Sequence, residues 1–426
     1  MDFEFYRLKN GVRVVLVPMS GVESVAVGVY VETGSRYETP EINGISHFLE
    51  HMVFKGTKKF PTHKDTSYLE GLGAIQNAWT GVDATCYWTK IPADYWEKGL
   101  ELVTDLALNP TIPSRDLEIE RGVILEEINR KEDLPDEIVG EVLFESMFAG
   151  NPLEMTIAGR PEAIKSLKRE DFLRYHGRQY AAGRLVVAMA GKLGDLDRVM
   201  VQIRAEFGQL EPSRGGEFKP VREVQSGPRL KLRPKKLAAQ AHIELAVRGV
   251  TVADRRRYAL SLLTTYLGRG LSSRLFSELR EKRGLCYAVR ADEDRWTDTG
   301  IWSVYAGLRI DKLGEAVEAI LRELAKCKQD KLGDRELTQA KEKIRGPLLF
   351  SMENPVGQME FYAKQVLDRP EEVLTHREVI DRLMQTDADM IQKVAQDIFV
   401  TENLNLAVVG PVGAKEEAGL AKLLKV

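Results

Sequence analysis

Apolar residues recur along the chain in two distinct periods. VRVVLV (12–17), SVAVGVYV (24–31) and LVVAMAG (185–191) alternate or run apolar over strand length and predict β-strands. Residues 93–107 instead carry apolar side chains at helical spacing and close at Asn109-Pro110. Pro113-Ser114 then opens a second helix, because serine can cap free N–H groups and proline tolerates the first turn. Strands and helices intermixed in this way predict an α+β fold, a sheet with helices packed on one face.

The unit is written twice. Residues 172–191 and 391–410 each read as a helix, a polar break, an apolar strand and a glycine, and Gly191 and Gly410 are 410 − 191 = 219 apart. Leu117 and Leu337, in the helix openings SRDLEIERG and DRELTQAKE, are 337 − 117 = 220 apart, and Tyr87 matches Tyr305 at an offset of 218. Three landmarks on nearly one offset predict a duplicated pair of homologous domains. Between the copies, residues 211–236 are rich in Pro, Gly and charge without apolar periodicity, as a linker would be. The predicted domains are 1–212 and 228–426, joined by a linker at 213–227.

Composition narrows the class. A length of 426 residues exceeds one ordinary domain, and 43% apolar with 29% charged residues suits a soluble globular protein. With 61 basic and 64 acidic residues the net charge is −3, which offers no ground for a nucleic-acid or anionic membrane partner. Cys86, Cys286 and Cys327 form no CxxC pair and read as reduced thiols, not as disulfides or a thiolate zinc site. The opening residues lack a signal-peptide pattern and no apolar run approaches spanning length, so a cytoplasmic location is expected.

Candidate chemistry concentrates in ISHFLEHMVFKGT, which contains His47-x-x-Glu50-His51. On a helix, positions i, i+3 and i+4 share one face, so two imidazoles and a carboxylate converge. Neutral imidazoles suit a borderline-soft divalent ion such as zinc, and the order reverses the commoner H-E-x-x-H. A catalytic zinc site needs a third protein ligand and an open position. DLEIERGVILEEINRKED supplies Glu118, Glu120, Glu126 and Glu127 on a predicted helix. Glu120 and Glu127, seven apart, lie on nearly one face, while Glu126 points about 100° away. Spacing alone leaves the choice of ligand open.

The run HFLEHMVFKGT, preceded by Gly34 and Gly44, resembles the signature of the insulinase/pitrilysin family of zinc peptidases, which includes mitochondrial processing peptidase. That resemblance extends over essentially the whole chain, since the family unit is itself a duplicated pair of α+β domains. It implies Zn2+ held by His47, His51 and Glu127, with Glu50 as general base and Glu120 as a helper. It also implies that Asn77-Ala78, on an edge strand, pairs with substrate backbone, which would make cleavage tolerant of side chains.

The second copy cannot repeat the site. Adding 219 to positions 47, 50 and 51 gives Tyr266, Arg269 and Gly270. Its distinctive stretch, GRGLSSRLFSELREKRGLCYAV, contains Arg280 and Tyr287. These resemble the Arg/Tyr pair that family members present to substrate at the zinc site, and a guanidinium and a phenol suit a developing oxyanion. One departure stands out: the family often shows H-P-L-G-R where this chain has Asn151-Pro152-Leu153-Glu154-Met155. The resemblance therefore implies a zinc metalloendopeptidase acting on peptides or unfolded segments, and a half-length chain carrying both parts of the site implies a homodimeric chamber. The rival expectations are a catalytically silent scaffold and one subunit of a heterodimeric peptidase.

Overall fold

In the computed structural model, which describes residues 3–222 and 225–426, the apolar runs become the strands of two sheets. The first contains β1 (Glu4–Arg7), β2 (Arg13–Pro18), β3 (Ser24–Val31), β4 (Ile75–Thr80), β5 (Thr85–Pro92) and β6 (Leu185–Gly191), in the order β1-β2-β6-β3-β5-β4. The second contains β7 (Arg229–Pro234), β8 (Ala241–Arg248), β9 (Cys286–Arg295), β10 (Gly300–Leu308) and β11 (Asn405–Gly410), in the order β7-β11-β8-β10-β9. Apart from β1 the two orders are the same. In each, a single parallel pair, β2 with β6 and β7 with β11, ends with a proline opposite the landmark glycine: Pro18 on Gly191, Pro234 on Gly410. The expected α+β duplication is borne out. Residues 223 and 224 of the predicted linker lie outside the described residues.

The strand registers correct one landmark. Ala190 pairs with Ala26 and Ala26 with Lys90, while Val409 pairs with His242 and His242 with Gly307. Two residues back along β5 and β10, Trp88 therefore matches Tyr305, and Tyr87 matches Val304. Side chains alternate between faces, so a slip of one residue sends Tyr87 and Tyr305 to opposite sides. Tyr87 is buried in the main core of the first sheet, whereas Tyr305 points away from the core that takes Val304 and Ala306.

Both faces of each sheet are covered. The larger helical layer of the first packs Ile45–Val53, Trp96–Leu108, Ser114–Glu132, Arg169–Gln179 and Leu196–Phe207 against Val14, Val27, Val29 and Val187. Its other face, with Val15, Val17, Ala26, Cys86 and Ala188, is covered by Pro355–Asp368, which lays down Met359, Tyr362, Ala363 and Val366 at helical spacing. The second sheet takes helix Pro135–Met147 in the equivalent place.

Accordingly the compact units are not contiguous. One comprises Met1–Ile128, Met155–Lys219 and Leu349–Thr375; the other Asn129–Glu154, Pro220–Leu348 and His376–Val426. The repeat boundary near 212–228 describes the sequence, but each unit takes one helical segment from the other half of the chain. Basic residues on and just after β7, with one at the end of β8, hold the transferred segment in the second unit. Lys231 and Arg233 pair with Glu145 at 2.8 and 3.0 Å, Arg233 and Lys235 reach Glu132, and Arg229 and Arg248 donate to the carbonyls of Ser146 and Met147. Cations at the last carbonyls of a helix favour its C-terminal end.

A fragment of residues 1–212 lacks the helix that buries one face of its sheet. Each large side chain left uncovered forfeits about 1.5–3 kcal/mol. We expect this fragment to bind a hydrophobic dye and to melt without a cooperative transition, and to become soluble when co-expressed with residues 213–426. A cooperative melt of the isolated fragment would count against the exchange.

Candidate metal centre

The histidine motif occupies helix Ile45–Val53, whose start is fixed by a buried carboxylate. Gly44 lies at φ 94°, and a Cβ there would stand 2.7 Å from the Ala158 carbonyl oxygen, so glycine is required at this entry. Glu38 caps the turn: its carboxylate accepts from the backbone N–H of Gly44 and Ser46 at 2.7 and 2.9 Å and from the Asn43 amide at 2.9 Å. A carboxylate suits free N–H groups at the positive end of a helix. Burial pushes the Glu38 carboxyl up to about 7, against the pull of these hydrogen bonds. Ser46 continues the network to Tyr175 at 2.7 Å, and Tyr175 reaches Thr33 at 2.9 Å.

From this anchored helix, His47 and His51 meet Glu127 of helix Ser114–Glu132. Glu127 Oε2 lies 3.9 Å from Nε2 of each histidine, and one donor atom from each residue falls within 4.8 Å of the others. Among the described residues no other group of three His, Cys, Asp or Glu side chains converges in this way. Two imidazole nitrogens and a carboxylate oxygen are the donors of a three-ligand catalytic zinc site, so the residues fit the ion. Glu126 is exposed on the adjoining face, as its helical position predicts.

Glu120 faces the same centre but is engaged differently. His51 Nδ1 and Glu120 Oε2 are 3.1 Å apart, and Lys55 Nζ lies 2.6 Å from Glu120 Oε1. Burial opposes ionisation of Glu120, but hydrogen bonds from Lys55 and His51 outweigh it and hold its carboxyl below the usual range. A proton on Nδ1 donated to Glu120 would leave Nε2 of His51 available to a metal. The Glu120 side chain is 8% exposed against 37% for Glu127, which suits a supporting carboxylate beside a ligand with an open side.

Glu50 is half-buried and makes a 2.6 Å hydrogen bond with Thr80 Oγ1, which donates to Oε2. Burial pushes its carboxyl up, and the Thr80 bond offsets part of that rise. Thr80 ends β4, the edge strand that carries Asn77 and Ala78. Asn77 is exposed, and its Oδ1 accepts the Ala78 N–H at 2.9 Å. Thr80, Lys55 and Glu38 went unrecognised in the sequence. Strand alternation places Thr80 on the Ala78 face, a usable signal; Lys55 follows a helix that ends at Val53, and nothing local marks Glu38 as a cap.

Arg280 and Tyr287 belong to the second unit. Arg280 lies in a short π-helical turn, Phe276–Glu281, with its guanidinium 4.9 Å from the centroid of the Phe276 ring. Tyr287 follows at the start of β9 and is exposed. Burial pushes the intervening Cys286 thiol up to about 11, and Arg280 is near enough to oppose the shift. In the same unit Tyr266 donates to Glu336 and Arg269 pairs weakly with Glu293, so these positions are otherwise engaged. Asn151 of the divergent loop accepts from Leu153 N–H and donates to the Pro220 carbonyl, a structural use of that departure.

Comparison with known proteins identifies the family. Residues 13–160 match the family described as Insulinase (Peptidase family M16), and residues 166–344 match the Peptidase M16 inactive domain. An uncharacterized zinc protease of Bacillus subtilis, YmxG, is 34% identical over 96% of this chain and 98% of its own length. An uncharacterized zinc protease of Streptomyces coelicolor is 32% identical over 97% of this chain and 90% of its own. The crystal structure of a protease from Helicobacter pylori superimposes with a TM-score of 0.88 at 22% identity, covering 96% of this chain and 99% of the other, and so shares the fold. The duplicated fold, the histidine motif and these full-length relatives together place the chain in the M16 (insulinase) family of peptidases.

Proposed function

We propose that the chain is a zinc-dependent endopeptidase that hydrolyses peptides or unfolded polypeptide segments, with His47, His51 and Glu127 as metal ligands. The observation that carries this reading is the convergence of the three donor atoms within 4.8 Å. A zinc ion held there supplies Lewis acidity, which acidifies water and polarises a carbonyl. Glu50 is the general base: its raised carboxyl takes a proton from water and returns it to the leaving amine. Thr80 holds one Glu50 oxygen, leaving the other to receive that proton. Glu120 orients His51 and is balanced by Lys55. Asn77 and Ala78 pair with an extended substrate on the open edge of β4, where main-chain bonds bind many sequences alike. Arg280 and Tyr287 stabilise the developing oxyanion, each pair serving the zinc site of a neighbour in a homodimer. The family resemblance supports these last two roles and an enclosed chamber.

Metal binding and turnover should separate by residue. Glu50→Gln is expected to keep about one zinc per chain while losing at least 10²-fold in kcat, because the amide cannot accept the proton. Glu127→Gln should lose zinc, since three protein ligands are needed, whereas Glu126→Gln should retain it. Metal analysis of the dialysed variants checks this, and zinc loss confined to Glu126→Gln would reverse the ligand assignment.

The zinc-loaded Glu50→Gln protein should capture a peptide as an added strand along Asn77-Ala78. A co-crystal with the peptide helical, or away from β4, would refute that placement.

Subunit mixing addresses the homodimer. Glu50→Gln mixed with the double variant Arg280→Ala, Tyr287→Phe should regain roughly half of wild-type activity per mixed dimer when sites are completed in trans. Demonstrated subunit exchange without recovery would rule the trans arrangement out.

A further inference from the structure

Tyr287 is set in its place by three features of the second unit. It occupies a β-bulge: Cys286 pairs with Leu308 and Ala288 with Gly307, which leaves Tyr287 as the extra residue of β9. Bulges re-aim a side chain without moving the strand as a whole. The ring then lies over Gly307, where an added Cβ would stand 2.5 Å from Tyr287 Cε1 and 3.0 Å from Cζ. The backbone of Gly307 is ordinary extended strand, so the glycine is needed for space rather than for conformation.

The third feature is a chain of polar contacts beneath the phenol. Tyr305, 4% exposed, stands 2.8 Å from Nδ1 of buried His242, and the Arg290 guanidinium covers its ring at 4.0 Å. Burial and then the neighbouring Tyr287 phenol push the Tyr305 hydroxyl up. With Nδ1–H of His242 donating to Tyr305, the Tyr305 proton would be directed at the Tyr287 oxygen and the Tyr287 proton would be left for a substrate. The first copy has Trp88 at the position of Tyr305 and Ala26 at that of His242, so the chain of contacts is particular to the second copy.

The geometry points to Tyr305, His242 and Gly307 as positioning residues that fix the Tyr287 hydroxyl, through a hydrogen-bond chain and a glycine seat, as an outward-facing donor to the substrate. This rests on the reading of Tyr287 as an oxyanion donor, and the test keeps the two apart. In the full zinc-loaded chain, kcat and KM for an internally quenched peptide are compared among wild type, Tyr287→Phe, Tyr305→Phe, Gly307→Ala and the double variant Tyr287→Phe, Tyr305→Phe. Tyr287→Phe should lower kcat by about 10²-fold. Tyr305→Phe and Gly307→Ala should each lower kcat by roughly 10-fold with KM and zinc content unchanged, and the double variant should be no slower than Tyr287→Phe alone. A crystal structure of Gly307→Ala should show the Tyr287 ring displaced. If Tyr287→Phe turns over at the wild-type rate, the oxyanion reading fails and the positioning role with it. If Tyr287→Phe is impaired while Tyr305→Phe matches wild type, or if the two losses multiply, the positioning inference alone is overturned. Should Gly307→Ala fail to fold, Tyr305→Phe, which removes a single oxygen, decides the matter.

Discussion

Strands apolar on both sides cannot be left with one side in water, and each sheet here has such strands in its interior. β6 and β11 are buried from end to end, as is β10. A layer of helices covers one face, and the other demands a second cover. Covering it with a helix from the distant half of the chain makes the folding of each unit depend on both halves. It also brings the two long helices, Ser114–Glu132 and Asp334–Met352, across the unit boundaries at 128/129 and 348/349. The first of these carries Glu120 and Glu127 of the candidate metal centre.

Within the first unit the candidate centre is bracketed by charged groups. The histidine helix is held at its start by an internal carboxylate, and its end sits beside the Lys55–Glu120 pair. Three glutamates crowd the site, and their surroundings divide the work among them. Glu120 is ionised by its partners, Glu127 stays open on one side, and Glu50 is raised by burial. Neighbouring carboxylates with different environments are what acid–base chemistry beside a metal requires.

Duplication supplied two copies of one scaffold, and the second kept the sheet while changing what the strands carry. Where the first presents Ala26, Trp88 and an edge strand leading to Thr80, the second presents His242, Tyr305 and a bulged edge strand leading to Tyr287. The same pleat therefore displays a candidate metal centre in one copy and a polar, phenol-bearing edge in the other. Fold similarity alone says nothing of this difference, because function rests on the side chains placed upon the fold.

By itself the sequence determined the elements that depend on local order: the strands, the duplication, and the convergence of His47, Glu50 and His51 on one helical face. Helical geometry sets that convergence, and no distant contact is needed to read it. The sequence also held a signal that both faces are covered, since wholly apolar runs such as LVVAMAG mark strands buried on two sides. Which helix does the covering was decided only by tertiary structure. Pro135–Met147 and Pro355–Asp368 are both amphipathic, and periodicity cannot say which sheet either one will meet. Likewise, telling Glu120 from Glu127 required the contacts each makes with the histidine helix, and the places of Thr80 and Lys55 required contacts between segments far apart in the chain. The match of Tyr87 to Tyr305 failed by one residue for a related reason: sequence similarity tolerates a single-residue slip, whereas a pleated strand turns that slip into the opposite face.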